Sequence, residues 1–582
     1  MAQAAQALRM DQLAGIGAGE RALAKFETLS EDVDAALARR KSNGLVRRGI
    51  KAWKRGNVSR AGQLCLQATD IDETNAQAFH ILAMVLDKLG HRHKALVTYE
   101  RAFQLDPEDP DLLINLGLMA WQMRMTDAAE KMFRLHIAAC PDSPLGYNNL
   151  GTIQSEKGQR SAGIETIRSA IYRMPTEPVL WNALATVLAD DGRSEESLTF
   201  YEEAVRLDPT FSRPWHNLGF AYSHLGRLEE ALAAYDKSLE YMLEERERTE
   251  TIHSRSVCLM GMGRLEEGFR EYEVRNIQRF RAYVHHVIEA PVWSGEPLDG
   301  KRVLIVGEQG LGDELMFANI LPDLARAVGP DGKLQIAVDP RLIPMFQRSF
   351  PQADVGTYDD RTLMDRDGNK ELRFVPFAQK PDFYAPMGTP LQYLRKNLED
   401  FPREAFLKAD PARVAGFRAQ LEAIGPGPYV GVCWRSMTLG AKRKKYYSAL
   451  DMWNPILQTP GVTFVNVQYG DCTDELQRAQ EQSGVRIHTI DGLDLKNDLD
   501  GAAALSEALD LVISAPTAAA ATAGSVGTEV WFLMAGRTWP QLGTDHYPWY
   551  RASRVFAPEK FADWAGLMPQ VSSALAAFAA TE

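Results

Sequence analysis

The chain has 582 residues, 45% of them apolar and 24% charged, and a net charge of −12. Such a length exceeds what one core supports and predicts two to four domains. The acidic balance argues against general nucleic-acid binding, and with no run of about 18 apolar residues no helix is expected to span a bilayer.

The N-terminal stretch MAQAAQALRMDQLAGIGAGERALAKF carries charged residues early and lacks a compact apolar core, so it is not read as a secretory signal. Residues 1–41 are Ala-rich and partly amphipathic, and are expected as a capping helix or a loose tail. Cys65, Cys140, Cys258, Cys433 and Cys472 are odd in number, far apart and in no C-x-x-C pair. They read as reduced thiols of a cytoplasmic protein.

From about residue 42 a repeat dominates. Pro107, Pro141, Pro175 and Pro209 stand 34 residues apart. In the same frame recur Leu82-Ala83, Leu116-Gly117, Leu150-Gly151, Leu184-Ala185 and Leu218-Gly219, then Ala95, Ala129, Gly163, Ser197 and Ala231, then a bulky Tyr99, Phe133, Ile167, Tyr201 or Tyr235. The pattern resembles the tetratricopeptide repeat. Each unit is predicted to be two antiparallel helices, A and B. Small residues let them approach, the aromatic fills the space between units, and proline stops helix B. Gly192-Arg193, Gly226-Arg227 and Gly263-Arg264 read as the turns from A to B. Six units are expected from about 42 to 245, and a degenerate seventh to about 282 after a short insertion around Glu244–Glu250. The whole forms a superhelix over 42–285, with atypical terminal units as caps.

Asn115, Asn149 and Asn217 share one slot, immediately before the Leu of helix A. An amide there can donate to and accept from a peptide backbone at once, so a ladder of them would hold an extended chain without reading its side chains. The segment YNNLGTIQSEKG (147–158) resembles repeats of the O-linked N-acetylglucosamine transferases, which implies that asparagine ladder; between Asn149 and Asn217 the ladder is interrupted at Ala183.

Near residue 290 the composition changes. APVWSGEPLDG (290–300) reads as a link, followed by VLIV as a strand, GEQGLGD as a glycine-rich turn and MFANILPDLARAV as a helix. A strand, glycine turn and helix start make an anion site, although Gly310-x-Gly312 lacks the third glycine of a dinucleotide fingerprint. KLQIAVDPRL (333–342) gives the next strand and turn, and GNKELRF a further strand or turn, within a lobe spanning 290–415. PYVGVCWRS (428–436), VTFVNVQYG (462–470) and ALDLVISAPTAAAATAGSVGTEVWFL (508–533) supply a second lobe, 428–582. Two such α/β lobes predict the glycosyltransferase B (GT-B) architecture with Rossmann-like halves, ligands lying outside the carboxyl ends of the strands.

The segment GEQGLGDELMFANILPDLA resembles the opening motif of repeat-fused bacterial glycosyltransferases related to the heptosyltransferases. VGVCWRS, the strand DLVIS and HYPWYRASRVF (546–556) follow in that family's order. With the array, the whole chain resembles the repeat-containing flagellin-modifying glycosyltransferases of alphaproteobacteria. The resemblance implies transfer of a nucleotide-activated nonulosonic acid, such as pseudaminic acid from CMP, to Ser/Thr of flagellin, without a metal. Two other readings fit the residues: a non-catalytic adaptor that binds flagellar or secreted proteins, and a glycosyltransferase of cell-surface polysaccharide.

Glycosyl transfer needs a base for the acceptor hydroxyl and positive or dipolar groups for the departing phosphate. Asp313, closing the GxGD turn, is the candidate base, and the resemblance implies the same; it also suits a helix N-cap, and a helix N-terminus would weaken it as a base. Glu308 is the fallback. For the donor, the candidates are Gly310 and Gly312, Arg435 after the strand GVCW, the run Lys442-Arg443-Lys444-Lys445 with Lys444 and Lys445 favoured, and Thr517 and Gly524 in the turn SAPTAAAATAGSVG. The resemblance implies Asp and His where this turn has Pro516 and Ala521, which points to a different nucleotide or to an impaired enzyme. Trp549 and Tyr550 match the family's Pro-Trp-Tyr landmark. Asp498-Leu499-Asp500 has the D-x-D form of metal sites in the other major glycosyltransferase fold, but it reads as a charged loop here.

Overall fold

A computed structural model describes residues 2–278, 280, 282–365, 368–437 and 443–581, apart from the side chains of Lys444, of 363–370 and of much of the first 31 residues. The described chain divides into two compact units, Met1–Val187 with Met364–Asn369, and Leu188–Leu363 with Lys370–Glu582.

The first unit is helical. α1 (Ala2–Lys54) runs for 53 residues, so the N-terminal stretch is helix and not a loose tail. α2 (Val58–Ile71), α3 (Ala76–Lys88), α4 (Arg92–Leu105), α5 (Pro110–Gln122), α6 (Thr126–Ala139), α7 (Pro144–Glu156) and α8 (Arg160–Arg173) follow, and α9 (Pro178–Asp190) carries the chain to the next unit. Helices A have 13 residues and helices B have 14. The periodic prolines stand two residues beyond helices B, where they stop them without breaking a hydrogen bond. The A-to-B turns carry glycines at positive φ, Gly90 at +78° and Gly158 at +80°, and Arg124 takes the same conformation at 64°.

The bulky residue of helix B packs on two sides, against the small residue of helix A in its own unit and, as expected, against the next unit. A Cβ on Gly117 would lie 2.5 Å from the Phe133 ring, and one on Gly151 would lie 2.4 Å from Ile167. The bulky residue of helix B therefore sits against the small residue of helix A within its own unit. Residues such as Leu112, Leu113 and Met119 close the core between successive units around Tyr99.

In the second unit α10 (Ser194–Leu207), α11 (Ser212–His224), α12 (Leu228–Tyr241), α13 (Glu245–Gly261) and α14 (Leu265–Tyr272) continue the hairpins. The insertion around Glu244–Glu250 forms no separate loop: it starts α13, which is lengthened to 17 residues. Three sheets follow. β1 (Val284–Val287), β5 (Asp359–Asp365) and β6 (Gly368–Phe374) form a small sheet in the order β1-β6-β5. β2 (Arg302–Val306), β3 (Lys333–Val338), β4 (Asp354–Thr357) and β7 (Phe383–Pro386) form a parallel sheet in the order β4-β3-β2-β7. β8 (Tyr429–Cys433), β9 (Thr463–Asn466), β10 (Leu511–Ser514), β11 (Val530–Leu533) and β12 (Ser553–Phe556) form another, in the order β12-β11-β10-β8-β9, also parallel. Their near-continuous apolar strands are buried on both faces, as parallel sheets require.

The helices of this region are α15 (Leu311–Phe317), α16 (Leu321–Ala327), α17 (Ile343–Ser349), α18 (Leu391–Leu394), α19 (Pro411–Ile424), α20 (Asn454–Leu457), α21 (Thr473–Ser483), α22 (Leu499–Ala508), α23 (Ala518–Ser525) and α24 (Trp564–Ala579). One core takes in Met260, Leu265, Phe269 and Tyr272 of α13 and α14 together with Leu315, Phe317 and Trp549. The last helical hairpin is thus part of the α/β core, and so is the link, whose Trp293 and Leu298 are buried there. Four of the five cysteines are buried, and all five are free thiols.

Candidate functional site

Residues that follow the carboxyl ends of strands converge on one cavity of about 850 Å³. Gln309 and Gly310 come from the loop after β2 and Leu311 to Asp313 from the first turn of α15, Arg341 from the turn after β3, Ser436 and Met437 from beyond β8, Pro516 and Thr517 from the turn after β10, and Ala518 and Ala519 from the start of α23. The physical reason is general: in parallel sheets with short turns, strand ends and helix starts gather at one edge.

The two glycine-bearing turns meet there. A Cβ on Gly312 would lie 3.8 Å from the Ala518 nitrogen, so the start of α15 touches the start of α23. Thr517 precedes α23, and its hydroxyl oxygen lies 3.3 Å from that of Ser514. Gln309 holds a left-handed backbone, φ 63°, and its amide donates to the Tyr272 hydroxyl, which ties the loop to α14.

Asp313 lines the cavity and accepts from the Gly310 N–H at 3.3 Å. Loss of water pushes its carboxyl up to about 6; the Gly310 N–H pulls the other way and the charge of Glu308 adds to the rise. The expected weakening by the helix start is therefore outweighed: desolvation makes Asp313 a stronger base than a free aspartate. Among the described residues, the cations that line the cavity are Arg341, Arg443 and Lys496. Arg341 is gripped by Asp339 through Nε–Oδ1 and Nη2–Oδ2 bonds of 2.9 Å each, and donates to the Lys496 carbonyl at 3.0 Å. Tyr547 and Tyr550 complete the wall.

Several sequence candidates lie elsewhere. Glu308 is 5% exposed and held by Arg275, Nε–Oε2 at 2.9 Å and Nη2–Oε1 at 2.8 Å. Burial opposes its charge, but Arg275 wins and keeps its pKa below the usual range, so it is a buried counter-ion and not a spare base. Arg435 does not reach the cavity. Its guanidinium binds Glu475, Nε–Oε1 at 2.9 Å, and donates to the Asp471 carbonyl at 3.0 Å. Lys445 donates to the Ala189 carbonyl at 3.2 Å and lines no part of the cavity. Lys442 and the Lys444 side chain lie outside the described residues; of that run, Arg443 lines the cavity. Gly524 serves packing: a Cβ there would stand 2.6 Å from the Tyr550 ring. Trp549 is wholly buried, with its indole N–H donating to the Pro540 carbonyl.

Asp498 and Asp500 do not form a charged loop. Asp498 caps α22 and pairs with Arg413, and Asp500, in the first turn of that helix, pairs with Arg348 at 2.9 Å. The asparagines of the array are also engaged. Asn115 Nδ2 stands 2.9 Å from His80 Nε2 of the preceding unit, and Asn149, 8% exposed, accepts from the Asn148 amide at 3.0 Å. Asn217 is half-buried.

Sequence reasoning missed Arg341 and Lys496. Arg341 had a readable signal, since it follows the strand LQIAV by three residues as Gln309 follows VLIV. Lys496 had none, because only the fold brings its loop to the cavity.

Tetratricopeptide-repeat family models match residues 82–144, 179–211 and 200–233. Among solved structures, a tetratricopeptide repeat protein from Parabacteroides merdae is 17% identical, with 37% of this chain and 84% of that chain covered and a TM-score of 0.34. Pseudomonas aeruginosa pilF is 16% identical, with 37% and 97% covered and a TM-score of 0.31. Protein FlbA of Caulobacter vibrioides is 40% identical over 538 residues, which is 92% of this chain and 90% of the relative. A match of that extent, through both the repeats and the parallel sheets, makes this chain a tetratricopeptide-repeat member of the FlbA family.

Proposed function

We propose that the chain is a protein O-glycosyltransferase of the GT-B type, with the cavity between its two parallel sheets as the donor and transfer site and flagellin Ser/Thr as acceptor. The observation that carries the reading is the composition of the cavity. Among the described residues, a carboxylate poised near neutrality, Asp313, lines the same space of about 850 Å³ as Arg341, Arg443, Lys496 and the start of α23, which suits a nucleotide sugar. Asp313 takes the proton of the acceptor hydroxyl as its oxygen bonds the anomeric carbon. The bond from that carbon to the phosphate oxygen breaks, and its electron pair leaves on the phosphate. Arg341, Arg443 and Lys496, with the N–H groups at the start of α23, stabilise the charge that appears.

The donor carried by the family resemblance is a CMP-activated nonulosonic acid, itself an anion, and the cationic lining supports it. Ala521 lines the cavity where the family resemblance implies His, which leaves room rather than a charge. The array is proposed to bind the acceptor protein. Intact-mass measurement of flagellin produced with the wild-type chain, with Asp313→Asn and without the chain tests the reading. A mass increase only with the wild-type chain is expected, and an unchanged mass in all three removes it.

A further inference from the structure

A second cavity of about 580 Å³ lies beside the first. One wall comes from α11 to α13, including Phe220, Ser223, His224 and His253; the other comes from the segment after β11, including Trp539, together with Phe561. Arg443, Tyr447 and Pro516 line both cavities, so the two spaces meet at these residues.

We infer that the second cavity receives the acceptor polypeptide as an extended segment and selects against basic side chains, the hydroxyl passing Arg443, Tyr447 and Pro516 toward Asp313. This rests on the glycosyltransferase reading above.

Three observations support it. The lining is charged with one sign: Arg443 and Arg537 are present, and among the described residues lining it there is no carboxylate. Lys or Arg in the bound segment would meet like charge from Arg443 and Arg537, and the carboxylates nearby, Asp545 beside Arg537 and Asp190 beside Tyr446, line no part of the cavity. The histidines do not supply charge either way, because burial, with Lys445 beside His224 and Arg275 beside His253, pushes both imidazoles down to about 4. The remaining surface combines aromatic faces with hydroxyls, which packs uncharged side chains and hydrogen-bonds a backbone. Phe220 is half exposed and stands edge-on to the His224 ring at 4.3 Å between centroids. The opposite wall is built from the strand edge that also carries the donor turn. A segment seated here therefore lies next to the transfer site without crossing the α/β core.

The experiment uses the full chain and fluorescently labelled flagellin-derived Ser/Thr peptides whose flanking residues are Ala, Glu or Lys. Binding is read by anisotropy, independently of transfer. Lys-flanked peptides are expected to bind at least about tenfold more weakly than Ala- or Glu-flanked ones. Ser223→Trp, which fills the cavity, and the milder Phe220→Ala should each weaken peptide binding while leaving CMP binding by calorimetry unchanged. Thermal unfolding checks that both variants fold. Equal binding of all three peptides, or unaltered peptide binding by both folded variants, overturns the proposal. Loss of CMP binding in Ser223→Trp assigns the cavity to the donor and overturns it too. If the peptides bind as expected but no sugar is transferred by the wild-type chain, the glycosyltransferase reading fails and the peptide site stands.

Discussion

Replacing Asp313 by Asn should stabilise the protein at neutral pH while it stops transfer. Desolvation raises the carboxyl from an ordinary 3.8 to about 6 in the folded state. A folded pKa above the unfolded one means that folding favours the protonated form. The group is neutral in both states below about pH 4, where it costs nothing. The penalty grows as pH rises toward 6 and is complete above it. A shift of about two units corresponds to at most about 3 kcal/mol. Asp313 is partly exposed, and solvent there screens its charge, so a gain of about 1–2 kcal/mol for the Asn variant is expected near pH 7.5. Asn can still accept from the Gly310 N–H, so the local structure is retained. Denaturant unfolding of both proteins near pH 7.5 and near pH 4 measures the difference. A gain at the higher pH that vanishes at the lower is the expected result. The same gain at both values, or a loss at both, would show that Asp313 is not held high by desolvation. The same pKa sets the activity profile: about nine-tenths of the carboxyl is ionised at pH 7 and about one-tenth at pH 5, so kcat/KM should fall about tenfold over that interval.

Arg341→Ala, at the cavity wall, should weaken CMP binding by calorimetry about tenfold or more, whereas Arg435→Ala, which lines no part of the cavity, should leave it nearly unchanged. Equal effects would mean that the cavity's cations are wrongly assigned. Glu308→Gln leaves the buried Arg275 with Glu273 as its remaining counter-ion and should destabilise the second unit by about 1–3 kcal/mol in denaturant unfolding. Gly151→Ala puts a Cβ 2.4 Å from Ile167 and should cost about 1–3 kcal/mol, read as faster amide exchange confined to α7, α8 and their neighbours in the first unit. Gly524→Ala presses on Tyr550 and should cost a similar amount in the second unit.

The elements were largely legible because local chemistry fixes them. A 34-residue period with Gly or Ala opposite a bulky residue can only pack as helical hairpins, and the prolines mark where helices B stop. The apolar runs VLIV, GVC and LVIS announce strands buried on both faces, and the glycine turns that follow put Asp313 and Thr517 at strand ends. Side-chain commitments were not legible, because they depend on partners far along the chain. Glu308 looked available as a fallback base, and Arg435 looked like a phosphate ligand, until Arg275 and Glu475 were brought against them from 33 and 40 residues away. The asparagine slot showed amides at a fixed spacing, yet His80 meets Asn115 only when one unit stacks on the next. Sequence by itself thus determined the repeat helices, the buried strands β2, β3, β8, β9, β10 and β11 and the turns after β2 and β10, since these follow from periodicity and backbone preference, whereas the short strands β1, β4, β5, β7 and β12 carry no such pattern. Tertiary structure alone decided which charges are spent on one another and which face the cavity, because an ion pair or a desolvated carboxylate is a property of what surrounds it.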